Sequence, residues 1–329
     1  MTSLPLRWLG MLSPWLLIGG LAYAALFIKL EATESSLEQP LLEKRDRFFG
    51  AAASGETMWF VGGDGVLLET FDAGQSWDRE ELPGEVNLQA TAASPTGVRV
   101  VVGNHAEVFV GELGQDGWKR YQLPQEDYAS KLNQVRFIDG HFWVVGEMGG
   151  IYQLSADGLT WKDYSLGKDL SVTNISGASD GSLWLTAEYG NLFRSQDHGG
   201  TWKQINLSSE TLRSIAFHDQ QAVAVGNGGQ VFYSGDLGES WQLQPVFTEE
   251  HLYDVAWNDD QWIVVGDQGQ MFTAQKPNAQ WSRVESPGMS KTYFTSVLPV
   301  DGGVVLAGKT LGFIDKNNNW ADWPAGDHK

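Results

Sequence analysis

The chain has 329 residues, with 22 Lys and Arg against 41 Asp and Glu, a net charge of −19. That acidity disfavours nucleic acid and anionic membrane surfaces as partners, because both repel it, and an apolar content of 42% excludes a disordered chain. No cysteine is present, which excludes disulfides, a lipoprotein anchor, thiolate metal sites and cysteine nucleophiles, while 39 glycines and 15 tryptophans point to many tight turns between short strands.

Trp8 to Ile28 is a run of 21 residues without charge. A helix needs about 20 apolar residues to cross about 30 Å of hydrocarbon. Arg7 and the amino group on one side favour an N-inside orientation, a bias that Lys29 on the other side weakens. Residues 1–30 are therefore read as an anchor or signal sequence, 31–46 as a polar stalk containing Pro40, and 47–325 as one body. An uncleaved anchor is expected because the apolar run continues through Leu26, Phe27 and Ile28, past the about 7–15 residues of a signal core. Cleavage at Ala22-Tyr23-Ala24 is the alternative, and either route exports the acidic body.

A repeat of about forty residues organises the body. Trp77, Trp118, Trp161, Trp202, Trp241, Trp281 and Trp320 are spaced by 41, 43, 41, 39, 40 and 39 residues. Fifteen residues before each of the first six stands a small residue, namely Gly62, Gly103, Gly146, Ala187, Gly226 or Gly266, whereas Gly308 precedes Trp320 by only 12. Each repeat holds four extended stretches. In the fifth they are LRSIAF, QAVAVG, QVFYS and SWQLQ, with Gly, Asp and Asn in the turns between. Four strands per repeat arranged radially make a β-propeller, so the predicted fold is an all-β, seven-bladed propeller preceded by one transmembrane helix. Each repeat holds its own four strands, which leaves the mode of ring closure open.

The turn before the tryptophan has its own chemistry. Residues 70–77 (TFDAGQSW), 195–202 (SQDHGGTW) and 234–241 (SGDLGESW) share one pattern, and 155–161 (SADGLTW) is one residue shorter. Asp72, Asp157, Asp197 and Asp236 are placed to accept backbone N–H bonds across the turn, and the glycine to take a positive φ. Trp77, Trp161, Trp202 and Trp241 are expected to wedge against the next blade. At about 25 cal/mol/Å² over about 150–250 Å², each such burial contributes roughly 4–6 kcal/mol before entropy. The second and sixth repeats keep Trp118 and Trp281 but lose the box.

These are Asp-box, or BNR, repeats. The longer pattern in VGNGGQVFYSGDLGESW (225–241) and AEYGNLFRSQDHGGTW (187–202) resembles the photosystem II stability/assembly factor family of seven-bladed propellers, over residues 48–323. The resemblance implies a chaperone of membrane-complex assembly. In non-photosynthetic bacteria it implies proximity to RND-type exporters, which would place this chain in a bacterial inner membrane as a single-pass protein with its propeller in the periplasm. It also implies an Arg-rich client patch, from which this sequence departs, since its ten arginines form no cluster.

Propeller partners generally meet the face where the innermost strands begin. Aligned first strands place Gln134, Asn174, Ser214, Asp254 and Ser296 in equivalent positions, preceded by Asn133, Thr173, Arg213, Tyr253 and Thr295. Tyr128, Asp169, Glu210, Glu250, His251 and Tyr293 lie on the loops leading in. The candidate binding residues are Tyr128, Gln134, Asn174, Arg213, His251, Tyr253, Asp254 and Tyr293, on a face read as polar, aromatic and mostly acidic.

Asp-boxes also occur in sialidases, which need converging arginines to hold a carboxylate. Arg213 is near the rim, Arg136 lies two residues deeper, and Arg194 and Arg283 are on outer strands, so no catalytic set is assigned. The six histidines fall at different repeat phases without metal-ligand spacing, so neither a metal nor a cofactor is expected. The functional expectation is a non-catalytic, membrane-anchored scaffold for a membrane protein complex, an RND-type transporter being the named candidate. The competing expectation is a secreted glycan-binding or sialidase-like propeller.

Overall fold

The second strand of each repeat reads as a near-continuous apolar run, and its burial explains why. Thr57–Gly62, Val98–Gly103, Gln221–Gly226 and Gln261–Gly266 are each buried on both faces over their last five residues. A sheet sandwiched between two neighbouring sheets has no solvent face there, so the usual alternation disappears. The fourth strand lies at the perimeter, and it is exposed and polar in Asp78–Glu81, Lys119–Gln122 and Lys203–Asn206.

The computed structural model describes residues 18–21, 23, 40–84, 86–115, 117–124 and 130–324. These build seven four-stranded sheets, each made of four consecutive antiparallel strands, which is the predicted seven-bladed propeller. The inner strands are Phe48–Ser54, Leu88–Ala93, Leu132–Ile138, Val172–Gly177, Leu212–His218, Leu252–Asn258 and Phe294–Val300. Of the predicted membrane span, Ile18–Leu21 and Tyr23 are described and are helical. The remainder of Trp8–Ile28 lies outside the described residues, as do residues 31–39 of the stalk. No helix among the described residues is long and apolar enough to cross a membrane.

There is no single core. Seven apolar clusters occupy the seven seams between adjacent blades. One joins Trp184 and Leu192 of blade four to Ile215 and Phe232 of blade five. Another joins Trp59 and Leu67 of blade one to Val101 and Phe109 of blade two. Trp59, Trp143 and Trp184 occupy the same place on their second strands, three residues before the small marker, and all three face the next blade. Trp262 sits one position earlier and faces the preceding blade, as the two-residue period of a strand requires.

The repeat tryptophans behave differently from expectation. Trp77, Trp202, Trp241, Trp281 and Trp320 pack back on the preceding blade rather than forward on the next. Trp161 is 43% exposed and meets only the edge of Tyr152 in its own blade among the described ring contacts. The forward wedge comes instead from the second strand, because the perimeter strand stands too far from the axis to be covered on both sides.

The Asp-boxes form as read. In blades one, four and five the carboxylate accepts the N–H of Ser76, Thr201 or Ser240 at 2.8, 2.8 and 2.9 Å, and the hydroxyl of the same residue at 2.6, 2.7 and 2.6 Å. In the shorter blade-three turn Asp157 accepts from Leu159 N at 3.0 Å. Blade seven adds a box that the sequence pattern passes over. Asp315 accepts from Asn317 N, Asn319 N and Asn319 Nδ2, each at 2.8 Å, with asparagine in place of Ser or Thr.

The ring closes by packing, without strand exchange. Phe48, Phe60 and Leu68 meet Val305, Ala307 and Leu311, Thr295 Oγ1 donates to the Phe48 carbonyl at 2.8 Å, and Trp77 meets Trp323 edge-on at 5.6 Å. The last residues read as stalk belong to this closure. Arg79 of blade one pairs with buried Asp46 at 2.6 Å and donates to the Leu41 carbonyl at 3.1 Å. Lys309 of blade seven donates to the Lys44 carbonyl at 2.7 Å. Leu41–Asp46 is therefore a strap across the seam between blades one and seven.

Candidate functional site

Every inner strand starts with the same irregularity. Its first residue pairs with the last residue of the second strand, and its third residue with the one before, so the second residue has no partner. Such a bulge re-aims the extra side chain. The small marker residue permits it by letting the incoming backbone press close. A Cβ on Gly103 would stand 2.7 Å from the Asn87 carbonyl oxygen.

The seven bulged residues are Phe49, Gln89, Asn133, Thr173, Arg213, Tyr253 and Thr295, and all seven line one axial cavity of about 430 Å³. Five of the six side chains that follow the markers of blades two to seven help to fix this ring. Asn104 Oδ1 accepts from Gln89 Nε2 at 3.1 Å, and Asn227 Oδ1 from Arg213 Nε at 2.9 Å. Asp267 accepts the Tyr253 hydroxyl at 3.1 Å. Glu147 and Glu188 instead accept the backbone N–H groups of Lys131 and Ser171, at 3.0 and 2.8 Å, two residues before their bulges. The Arg213 guanidinium lies 5.9 Å from the Tyr253 ring centroid.

One residue deeper is a second ring. Asn174 Nδ2 donates to Ser214 Oγ at 3.3 Å, and Ser214 Oγ donates to Asp254 Oδ1 at 2.7 Å. Asp254 also accepts from Val255 N at 2.9 Å and Val297 N at 3.0 Å. Burial pushes the Asp254 carboxyl upward, against the pull of Arg136 and these donors. Burial and nearby Asp267 push the Tyr253 hydroxyl up to about 12, and burial lowers the Lys131 ammonium.

Of the candidate residues, Gln134, Asn174, Arg213, Tyr253 and Asp254 line the cavity together. His251 stands outside it on an exposed loop, accepting Gly228 N on Nδ1 at 3.0 Å. Tyr293 lies on the loop before the blade-seven inner strand, outside the lining, and Tyr128 lies outside the described residues. The inner-strand alignment covers blades three to seven and so leaves out Phe49 and Gln89. Their signal was available, since each follows the buried apolar residue that opens its strand. The cavity is also less acidic than the face was read to be. Lys131, Arg136 and Arg213 balance Glu147, Glu188 and Asp254 in the lining, and the surplus acid of Asp169, Glu210 and Glu250 lies on the surrounding loops.

Arg194 is held at the perimeter by Asp180 at 2.9 Å and by Glu239, and Arg283 is on an exposed outer strand. Among the described residues, Arg136 and Arg213 are thus the arginines that reach the cavity, and no group of three His, Asp or Glu could hold a metal.

Fold and site together define a seven-bladed Asp-box propeller with a polar axial mouth built from bulged residues. The family model described as "Photosynthesis system II assembly factor YCF48" matches residues 33–275, and the chain belongs to that family. A solved structure of YCF48 bound to D1 peptide is 18% identical with a TM-score of 0.66, covering 80% of this chain and 90% of that one. YCF48 from Cyanidioschyzon merolae is 17% identical with a TM-score of 0.66, covering 81% and 94%. Virginiamycin B lyase from Staphylococcus aureus is 13% identical with a TM-score of 0.71, covering 81% and 93%. At such identities the likeness is one of fold. No curated protein matches the chain.

Proposed function

We propose that this chain is a non-catalytic, protein-binding assembly or accessory factor for a membrane protein complex, and that the bulged ring is where an extended segment of its partner docks. The ring carries the reading. Seven side chains from seven blades converge on one mouth, and an Arg–Tyr pair stands among them, the residue types that dominate binding energy at protein interfaces. Family membership supports it, since the model is that of an assembly factor and a YCF48 structure holds a D1 peptide.

The finer reading is that residues 1–30 anchor the propeller to a bacterial inner membrane, that it faces the periplasm, and that the complex is an RND-type exporter. Tethering would raise the local concentration of the mouth near a membrane partner.

Affinity capture from detergent-solubilised membranes tests this with the full chain, Arg213→Ala, and Arg283→Ala on the perimeter as control. The expected result is a membrane protein retained by the full chain and by Arg283→Ala but lost from Arg213→Ala. Equal recovery by all three, or none above background, would overturn the docking reading.

A further inference from the structure

The loop between the second and third strands of blade five carries the one Asn-Gly step in the sequence, Asn227-Gly228. In such a step the glycine nitrogen can attack the side-chain amide that precedes it, because no Cβ crowds the approach. The loop is open at this point. Gly228 is exposed, and a Cβ on it would meet nothing within 4 Å.

Two side chains hold the atoms that would react. Gly228 N donates to His251 Nδ1 at 3.0 Å. A backbone nitrogen only donates, so Nδ1 offers the free lone pair of the imidazole and the ring proton is on Nε2. Blade one makes the equivalent bond from Asp64 N to Asn87 Oδ1 at 3.2 Å, but its acceptor is an amide oxygen, whereas blade five supplies a base. Arg213 Nε donates to Asn227 Oδ1 at 2.9 Å. A guanidinium also only donates, so it faces and polarises the carbonyl oxygen of the amide. The amide nitrogen is left without a hydrogen-bond partner among the described residues. A base on the nucleophile and a cation on the electrophile are the two aids that ring closure needs. Asn104 of blade two holds the place of Asn227, but it is followed by His105 at a φ of 59° where Gly228 has 63°. Its neighbour therefore carries the crowding Cβ that Gly228 lacks.

We propose that Asn227-Gly228 is a self-modification site, where His251 and Arg213 drive conversion of Asn227 through a cyclic imide to aspartate or isoaspartate. Gly228 N gives its proton to His251 Nδ1 and forms a bond to Asn227 Cγ. The carbonyl electron pair moves onto Oδ1, where Arg213 Nε–H stabilises it. As that pair returns, the bond from Cγ to Nδ2 breaks, and the departing nitrogen takes the proton from the imidazole and leaves as ammonia. Water then opens the imide. Attack at the side-chain carbonyl gives aspartate, and attack at the backbone carbonyl gives isoaspartate. Overall water enters and ammonia leaves, with no redox change. The product sets a carboxylate against Arg213 at the mouth. On the docking reading above, this pairs the charge that the partner would use and lowers capture.

The full chain, held at neutral pH, tests this. The peptide spanning residue 227 is followed by mass spectrometry, with isoaspartate separated by chromatography. The folded chain is expected to convert about a hundredfold faster than chain unfolded in guanidinium chloride, the lower end of what a positioned base contributes. Isoaspartate is expected among the products, and Asn104 stays intact in the same sample. His251→Gln keeps an acceptor at an exposed position, so the propeller is retained. This variant and Arg213→Gln are expected to lose the advantage of the folded chain. Conversion no faster in the folded than in the unfolded chain, or at the parent rate in either variant, would overturn the proposal. Membrane-protein capture is read separately, so the chemistry and the docking can each fail without the other.

Discussion

The indole of Trp184 in blade four occupies the space where a Cβ on Gly238 of blade five would stand. Gly238 also has a φ of 82° as the glycine of its Asp-box, so turn geometry and seam packing impose the same residue. Trp143 repeats the relationship with Gly199, where a Cβ would fall 2.7 Å from the ring. Trp184→Ala is therefore expected to cost about 3–5 kcal/mol, as for other fully buried large aromatics. Trp161→Ala, at a half-exposed ring, should cost below about 1 kcal/mol. Urea melts of the two variants check the ranking, and the reverse order would show that the perimeter tryptophans are the true wedges.

The Asp-boxes predict an acid limit. The Ser76 hydroxyl and its neighbours hold Asp72 down at about 2. The Thr201 backbone does most to lower Asp197, the Ser240 hydroxyl Asp236, and the Asn319 amide Asp315. Each folded value lies below the unfolded value of about 3.9. The boxes thus add stability that is complete above about pH 4 and is lost as pH falls toward about 2. Buried Asp254 works in the opposite sense, because its raised value favours the folded state only when protonated. Melting temperatures measured from pH 5 to pH 2 should fall, and Asp197→Asn should flatten the fall. An unchanged slope in that variant would remove the box carboxylates as the cause.

The architecture was legible in the spacing of the indoles because a propeller repeats one sheet. The direction of the wedge was not, since period marks a position on a strand without saying which seam its side chain enters. Trp59, Trp143 and Trp184 share one position, but Val100, Val223, Ile263 and Val305 replace them in the other blades, so no tryptophan period betrays them. Asp315 was missed because asparagine at residue 319 supplies through its amide what Ser or Thr supplies through a hydroxyl. At the mouth, the inner-strand alignment reached Arg213, Tyr253 and Asp254. The bulge itself leaves no compositional trace, because Phe, Gln, Asn, Thr, Arg and Tyr all occupy it and backbone geometry alone defines it.

The strap makes ring closure sensitive to one pair. The Arg79 and Asp46 side chains are each 5% exposed, and removing one partner leaves the other charge buried. Arg79→Ala is expected to destabilise the propeller by about 3–5 kcal/mol. Asp46→Asn, which keeps a polar acceptor, should cost less. Denaturant titration read by tryptophan fluorescence checks both. If Arg79→Ala melts like the parent, Leu41–Asp46 rests on the seam without holding it.

The aim of Arg213 depends on Asn227, which fixes its Nε at 2.9 Å while leaving the rest of the guanidinium for a ligand. Asn227→Ala should therefore weaken partner capture in the same direction as Arg213→Ala, but less, because the charge remains and only its orientation is lost. Both positions are half-buried at the mouth rather than in a seam, so melts of both variants should stay within about 0.5 kcal/mol of the parent. Tyr253→Phe extends the comparison by removing the hydroxyl held by Asp267 while keeping the ring under Arg213. If the ring is the docking element, capture by Tyr253→Phe survives. Loss of capture in Tyr253→Phe with retention in Asn227→Ala would move the contact from the Arg–Tyr stack to the Tyr253–Asp267 pair on the blade-six side of the mouth.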